Sequence, residues 1–325
     1  MSSTISLDGT LKESFNYGTS FITDLKRKSP QRTFLFGYPI SHSMAPLLHL
    51  TLFKSVSLPW TFSLVETQDA SEFLPSLKQP DIIGCAVTMP YKVALMSAVD
   101  EVTDEGKMIG AINTVFRRTA ADGSTRYIGT NTDCVGIREA FLQNYPGILT
   151  ESTGKPGLVI GGGGACRAAV YALRKWMGVS KIYMVNRIQA EVQTIIDSFQ
   201  AVGFDGELIW VSSVEQAEGL EGPVLVVGTV PDLPPKADGE VLARRIVQTF
   251  LNKERKGHVL EMCYHPKPKT EFFELCKHAG WEVLYGTEAM IWQGITQQVL
   301  WTELPFGRLD LKEAVQKITD TLQTA

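Results

Sequence analysis

Thr88 and Lys92 stand four residues apart in Gly84-Cys85-Ala86-Val87-Thr88-Met89-Pro90-Tyr91-Lys92. The run Ile82 to Val87 reads as a short buried strand, with a hydroxyl at its end, a proline stop and a lysine at a helix start. Open α/β sheets bind ligands at the carboxyl ends of their strands. A lysine fixed there can receive a proton as the amine and return it as the ammonium. Alone, Lys92 reads as a solvated surface charge, so its company decides. Ser41, Ser43, Asn113 and Asp133 also fall at predicted strand ends. Each has a plain structural use: Asn113 can bond backbone, and Asp133 can cap a helix. A lysine and an aspartate in one cleft can also handle the proton of an alcohol while hydride leaves.

A hydride needs an acceptor, and a second motif offers a place for one. The strand-like Leu158-Val159-Ile160 runs into Gly161-Gly162-Gly163-Gly164-Ala165-Cys166-Arg167 and then a helical stretch, Ala168 to Met177. Glycines between a strand and a helix let backbone approach a pyrophosphate, which the helix N-terminus then binds. Gly161 and Gly163 fit the first two fingerprint positions; Cys166 stands where the third glycine is usual. The next strand ends at Asn186-Arg187, 25 positions after Gly161, where selectivity for the adenosine ribose is set. An acid there would favour NAD. Asn186 is neutral, Arg187 can stack on adenine or meet a 2′-phosphate, and Ile188 adds no polar contact, so these residues leave NAD and NADP both open.

The elements that must position these groups alternate. From Thr33 the pattern predicts strand Thr33 to Phe36, helix Pro46 to Val56, strand Thr61 to Val65, helix Ala70 to Leu77 and strand Ile82 to Val87. Strands near Ala111 to Phe116 and Arg126 to Ile128 flank Asp122-Gly123, a good hairpin turn. A helix from Asp133 to Tyr145, with Thr132 or Asn131 able to cap it, leads to a polar boundary, Gly147 to Gly157. Strands at Lys181 to Val185, Glu207 to Trp210, Val224 to Val227, Val259 to Met262 and Glu282 to Leu284 complete a doubly wound domain. Two helices, around Ala289 to Thr302 and Leu311 to Leu322, close the chain. The predicted fold is thus α/β in two domains, a substrate domain and a Rossmann-type dinucleotide domain. The expected boundaries are an N-terminal extension over 1–30, a substrate domain over 31–135 plus 288–325, and a dinucleotide domain over 136–287.

Composition narrows the partners. The 325 residues suffice for two cores, and a net charge of −4 with no basic run beyond Lys26-Arg27-Lys28 argues against nucleic acid. No apolar run reaches membrane-spanning length. Five scattered cysteines without a C-x-x-C pair argue against a zinc site or disulfide framework and for a reducing compartment, so the expectation is a cytoplasmic enzyme without a metal.

The chain resembles the shikimate/quinate dehydrogenase family from about Thr33 to Trp301. The resemblance rests on Gly37-Tyr38-Pro39-Ile40-Ser41-His42-Ser43-Met44-Ala45-Pro46, Val87-Thr88-Met89-Pro90-Tyr91-Lys92, Gly110-Ala111-Ile112-Asn113-Thr114, Asn131-Thr132-Asp133, the glycine-rich loop, and Gln293 within Trp292-Gln293-Gly294. It implies a dinucleotide domain placed second, with the C-terminal helices returning to the first. It implies Lys92 and Asp133 as the catalytic pair. Asn113 and Gln293 would hold ring hydroxyls, Ser43, Thr88 and Tyr264 would surround the ring carboxylate and its neighbours, and Ser41 would also bind substrate. Gly161, Gly163, Gly164, Ala165, Arg167, Asn186 and Arg187 match the family's cofactor site.

Three positions depart from the family pattern: Ala45 replaces the second serine of Ser-x-Ser, Ala86 an asparagine, and Leu50 the asparagine after the helix histidine. The first two remove polar groups facing the acid end of shikimate, each worth roughly 1.5–3 kcal/mol as a hydrogen bond to a charged group. The space they open suits the extra hydroxyl of quinate. The reading is oxidation of a quinate (or shikimate) hydroxyl to the 3-dehydro ketone, with NAD favoured as a catabolic acceptor and NADP the alternative, by a monomer or homodimer. A non-catalytic metabolite sensor on the same fold, or a dehydrogenase for another cyclic hydroxy acid, are the rivals.

Overall fold

Strands Arg32–Gly37 (β1), Thr61–Glu66 (β2), Ile82–Val87 (β3), Glu101–Val102 (β4), Thr114–Thr119 (β5) and Thr125–Thr130 (β6) form one sheet in the order β2-β1-β3-β5-β6-β4. The structure, a computed structural model, describes residues 7–324. β1 runs parallel to β2 and β3, and β5 is antiparallel to β3 and β6. The central strands are apolar on both faces, as sheets covered on both sides require. Phe34 and Phe36 point into a cluster with Phe73, Leu77, Cys85 and Val87. Leu35 points the other way, into a cluster with Phe53, Trp60, Phe62, Ile83 and Trp301.

The second sheet comprises Gly157–Ile160 (β7), Lys181–Val185 (β8), Glu207–Trp210 (β9), Leu225–Gly228 (β10), His258–Glu261 (β11) and Glu282–Tyr285 (β12). Its order, β9-β8-β7-β10-β11-β12, is all parallel and is that of a doubly wound dinucleotide fold. The order reverses between β7 and β10, which places the switch point beside the glycine-rich loop. The α/β class expected from the sequence is therefore the one observed.

The chain divides into two compact units: one runs through Thr132 and resumes at Gln293, and the other is Asp133–Trp292. The last helix, Leu311–Thr324, packs on helix Ala45–Ser55 of the first unit. Residues 1–6 of the expected extension lie outside the described residues. From Leu7 the segment forms helices Leu7–Ser14 and Asp24–Lys28, and Phe21 and Ile22 join the first unit's apolar core. Lys92 sits in a turn before a 3-10 helix, Ala94–Ala98, rather than at the start of an α-helix.

Candidate active site

In the first unit the expected polar residues lie after β1 and β3, just before β5 and on helix Gly286–Thr302. Ser43 follows β1. Its hydroxyl accepts from the Ala45 N–H at 3.2 Å, which leaves its proton to donate. Ser41 is exposed in the turn before it. Thr88 continues β3, its N–H donating to Phe36 O at 2.9 Å. The turn that carries Lys92 is pinned on both sides. Tyr91 N–H donates to Thr88 O, Tyr91 Oη donates to Thr67 O at 3.1 Å, and Lys92 O accepts from Ile112 N–H at 2.7 Å.

Asn113 is buried, at 2 % exposure, and its orientation is fixed by a backbone donor. Thr132 N–H donates to its Oδ1 at 2.6 Å, so that atom is the oxygen. Its Nδ2 then donates to Thr132 Oγ1 at 3.0 Å and Gln293 Oε1 at 3.2 Å. Asn113 and Gln293, 180 positions apart, are thus brought together in one hydrogen-bonded group.

That group continues inward through residues the sequence reading did not single out. Thr114 Oγ1 donates to Asn113 Oδ1 at 2.8 Å and accepts from Gln297 Nε2 at 2.9 Å. Gln297 Oε1 faces His49 Nε2 at 3.2 Å, so that ring nitrogen carries the proton. His49 Nδ1 must then accept. It faces Gln298 at 3.0 Å through the atom assigned as Oε1, while Gln298 Nε2 has no partner. Exchanging the two amide atoms of Gln298 supplies the missing donor. The available signal was periodicity: Gln293 and Gln297, four apart, share one face of their helix.

His49 is fully buried, and burial lowers its pKa from 6.5 to about 4. The unfolded chain therefore takes up a proton that the folded one refuses as pH falls from about 6.5 towards 4. Stability contributed by neutral His49 is complete above that window and lost within it, by on the order of 3 kcal/mol. Urea unfolding midpoints at pH 7 and pH 5 should fall further apart in the wild type than in His49→Gln. Equal pH slopes would contradict the assignment.

Ala45 and Ala86, at 6 % and 4 % exposure, belong to the same apolar cluster as Ile40 and Leu35. The two departures thus share one region of the first unit. Leu50 is exposed.

In the second unit, Asp133 opens helix Asp133–Asn144 and is buried. That helix is set by Ile137, Ala140 and Phe141 in the core and by Arg138, which pairs with Glu139 at 2.8 Å and lies over Trp176. Tyr264 is half-buried beyond β11. Just before it stands Glu261, a buried carboxyl the sequence reading passed over. Its Oε1 accepts from Cys263 N–H at 3.1 Å, its Oε2 has no partner, and burial pushes its pKa well up.

The glycine-rich loop fits a pyrophosphate. Gly161 has φ +131°, a left-handed value that side chains avoid, and a Cβ there would strike Thr229. At Gly163 a Cβ would meet nothing within 4 Å, so the loop leaves room. Helix Gly164–Lys175 begins there with no side-chain cap, so its first N–H groups face that space. Cys166 is fully buried within that helix, its thiol pushed up to about 12 by burial, so it packs and does not react. Arg167 is also buried, its guanidinium donating to Ser198 Oγ at 2.5 Å. Asn186 Nδ2 donates to Glu191 Oε2 at 2.6 Å, and Arg187 forms an ion pair with Glu240.

These two half-sites have known counterparts. Residues 35–115 match the shikimate dehydrogenase substrate binding domain family. A quinate dehydrogenase from Emericella nidulans is 43% identical over 285 residues, covering 83% of this chain and 87% of that protein. Among solved structures, a dehydroquinate dehydratase and shikimate dehydrogenase from S. pombe matches with a TM-score of 0.72 and 32% identity, over 91% of this chain and 54% of that one. The chain thus spans about half of that larger protein. A shikimate 5-dehydrogenase from Thermus thermophilus, in complex with NADP(H) and shikimate, matches with a TM-score of 0.67 and 26% identity, over 88% of this chain and 99% of that one. With a doubly wound dinucleotide unit, a matched substrate domain and a relative similar over most of both lengths, this chain belongs to the shikimate/quinate dehydrogenase family of oxidoreductases.

Proposed function

We propose that this protein oxidises a ring hydroxyl of quinate, or less readily of shikimate, to the 3-dehydro ketone, reversibly and with NAD or NADP. The observation that carries the proposal is the Asn113–Thr132–Gln293 group, held in one orientation by a backbone N–H in the first unit of a chain so similar to a quinate dehydrogenase. The first unit holds the ring acid and the second holds the dinucleotide on the Gly161–Ala165 loop. A bound nicotinamide supplies the acceptor for hydride. Lys92 receives the proton of the hydroxyl being oxidised and returns it in the reverse direction, with Asp133 as its partner. Asn113 and Gln293 hold the neighbouring hydroxyls through their amides, and Ser41, Ser43, Thr88 and Tyr264 serve the carboxylate end. Ser43 suits that end because its proton is left to donate. Arg167, Asn186 and Arg187 complete the cofactor side.

Quinate is favoured because Ala45 and Ala86 are smaller than the polar residues the family carries there, and the space gained suits the extra hydroxyl of quinate. A purely sensing role is not favoured, since both Lys92 and Asp133 are kept and the relative above is named a dehydrogenase. Among the described residues no helix is long and apolar enough to cross a membrane. The proposal places the enzyme in the cytoplasm, acting on a small polyhydroxy cyclic acid as a monomer or homodimer, without nucleic acid. Mass spectrometry of quinate incubated with enzyme and NAD should show a product two hydrogens lighter, and its absence with either dinucleotide would refute the reading.

A further inference from the structure

Arg187 follows β8, where a doubly wound fold meets the adenosine ribose. It is not left open to a ligand. Its guanidinium is paired with Glu240, near the start of helix Asp238–Leu251, which follows β10. Glu240 is itself anchored: its Oε2 accepts from the backbone N–H groups of Lys236 at 2.9 Å and Ala237 at 3.1 Å. These two N–H groups and the guanidinium keep the carboxyl ionised, down to about 2. The segments approach closely elsewhere too, since a Cβ on Gly239 would lie 3.0 Å from Arg187 O.

We infer that Glu240 is a specificity-determining residue that clasps Arg187 and selects a dinucleotide with a free ribose 2′-hydroxyl over one with a 2′-phosphate. The inference rests on the dinucleotide reading of this unit. A 2′-phosphate brings a charge of roughly −1.5 to −2. An unengaged arginine at this corner is its natural partner. Here the phosphate must displace an anchored carboxylate or face it. A 2′-hydroxyl is neutral and can donate to a carboxylate, the role an acid at the end of β8 has in NAD enzymes. Asn186 leaves that position without an acid; Glu240 supplies one from the segment after β10.

The test is calorimetric titration of the full chain with adenosine 5′-monophosphate and adenosine 2′,5′-bisphosphate. The wild type should bind the monophosphate at least as tightly as the bisphosphate. In Glu240→Gln the bisphosphate should gain about tenfold, the size of one charge-assisted hydrogen bond, with a smaller change for the monophosphate. Glutamine at this helix position keeps the reach back to the backbone N–H groups, which favours folding. Adding Arg187→Leu should erase the gain. The ratio of kcat/KM for NADP over NAD should rise in parallel in Glu240→Gln. A wild type that prefers the bisphosphate, a comparison needing no variant, would overturn the inference. So would an unchanged ratio in Glu240→Gln. Both fragments bind without a ring acid, so failure here is separate from failure of the quinate reading.

Discussion

Lys92→Ala is expected to lower turnover by roughly 10²–10⁴-fold, the usual worth of a positioned acid–base group, with a much smaller change in KM for the dinucleotide. The variant should fold, because the turn around Lys92 is held by backbone and by Tyr91. Tyr91 is buried, packs 5.1 Å from Phe36 and bonds Thr67 O. Removing the side chain past Cβ leaves each of those contacts in place. Lys92→Arg should not rescue the rate, because arginine keeps the charge but does not exchange its proton. Rates within about twofold of wild type would mean that Lys92 is the solvated surface residue it first resembles, and would remove it from the chemistry.

Glu303→Ala should destabilise the first unit by about 3–5 kcal/mol, the cost of leaving one member of a buried ion pair behind. Arg118 and Glu303 pair at 3.0 Å with side chains only 1% and 3% exposed. Glu303 also accepts from Phe21 N–H at 3.0 Å and from the Ser20 hydroxyl, while Arg118 bonds Ser14 and stacks between Phe15 and Phe116. One carboxylate therefore ties the N-terminal segment and β5 to the end of helix Gly286–Thr302. Burial lowers the Arg118 pKa to about 10, and the charge of Glu303 works against that lowering. Thermal unfolding should show a drop on the order of 10 °C for the single variant. Replacing both residues by methionine should recover most of it, since two apolar groups leave no charge unpaired. A single variant as stable as wild type would show that the segment is not fastened this way.

The same ion pair shows where sequence reading stops. Residues 7–30 look polar and poorly periodic, because their anchors are Phe21, Ile22 and the backbone N–H that finds Glu303, 282 positions away. Nothing local announces such a partner. The strand ends were legible, since runs such as Ile82 to Val87 are long and apolar enough to be read from the residues themselves. The glycine-rich loop was legible too, because Gly161 sits at a φ of +131° that glycine alone adopts with ease. The relay from Asn113 to His49 was not. His49 lies on a helix of leucines, and its partner Gln297 comes 248 residues later. Arg187 was readable as a residue at the ribose corner, but not as one already paired, because Glu240 arrives from a different element.

The central claim is tested most directly by initial rates with quinate and shikimate, each against NAD and NADP. The account predicts turnover in that grid, with the highest kcat/KM for quinate and NAD. No turnover in any of the four combinations would contradict it.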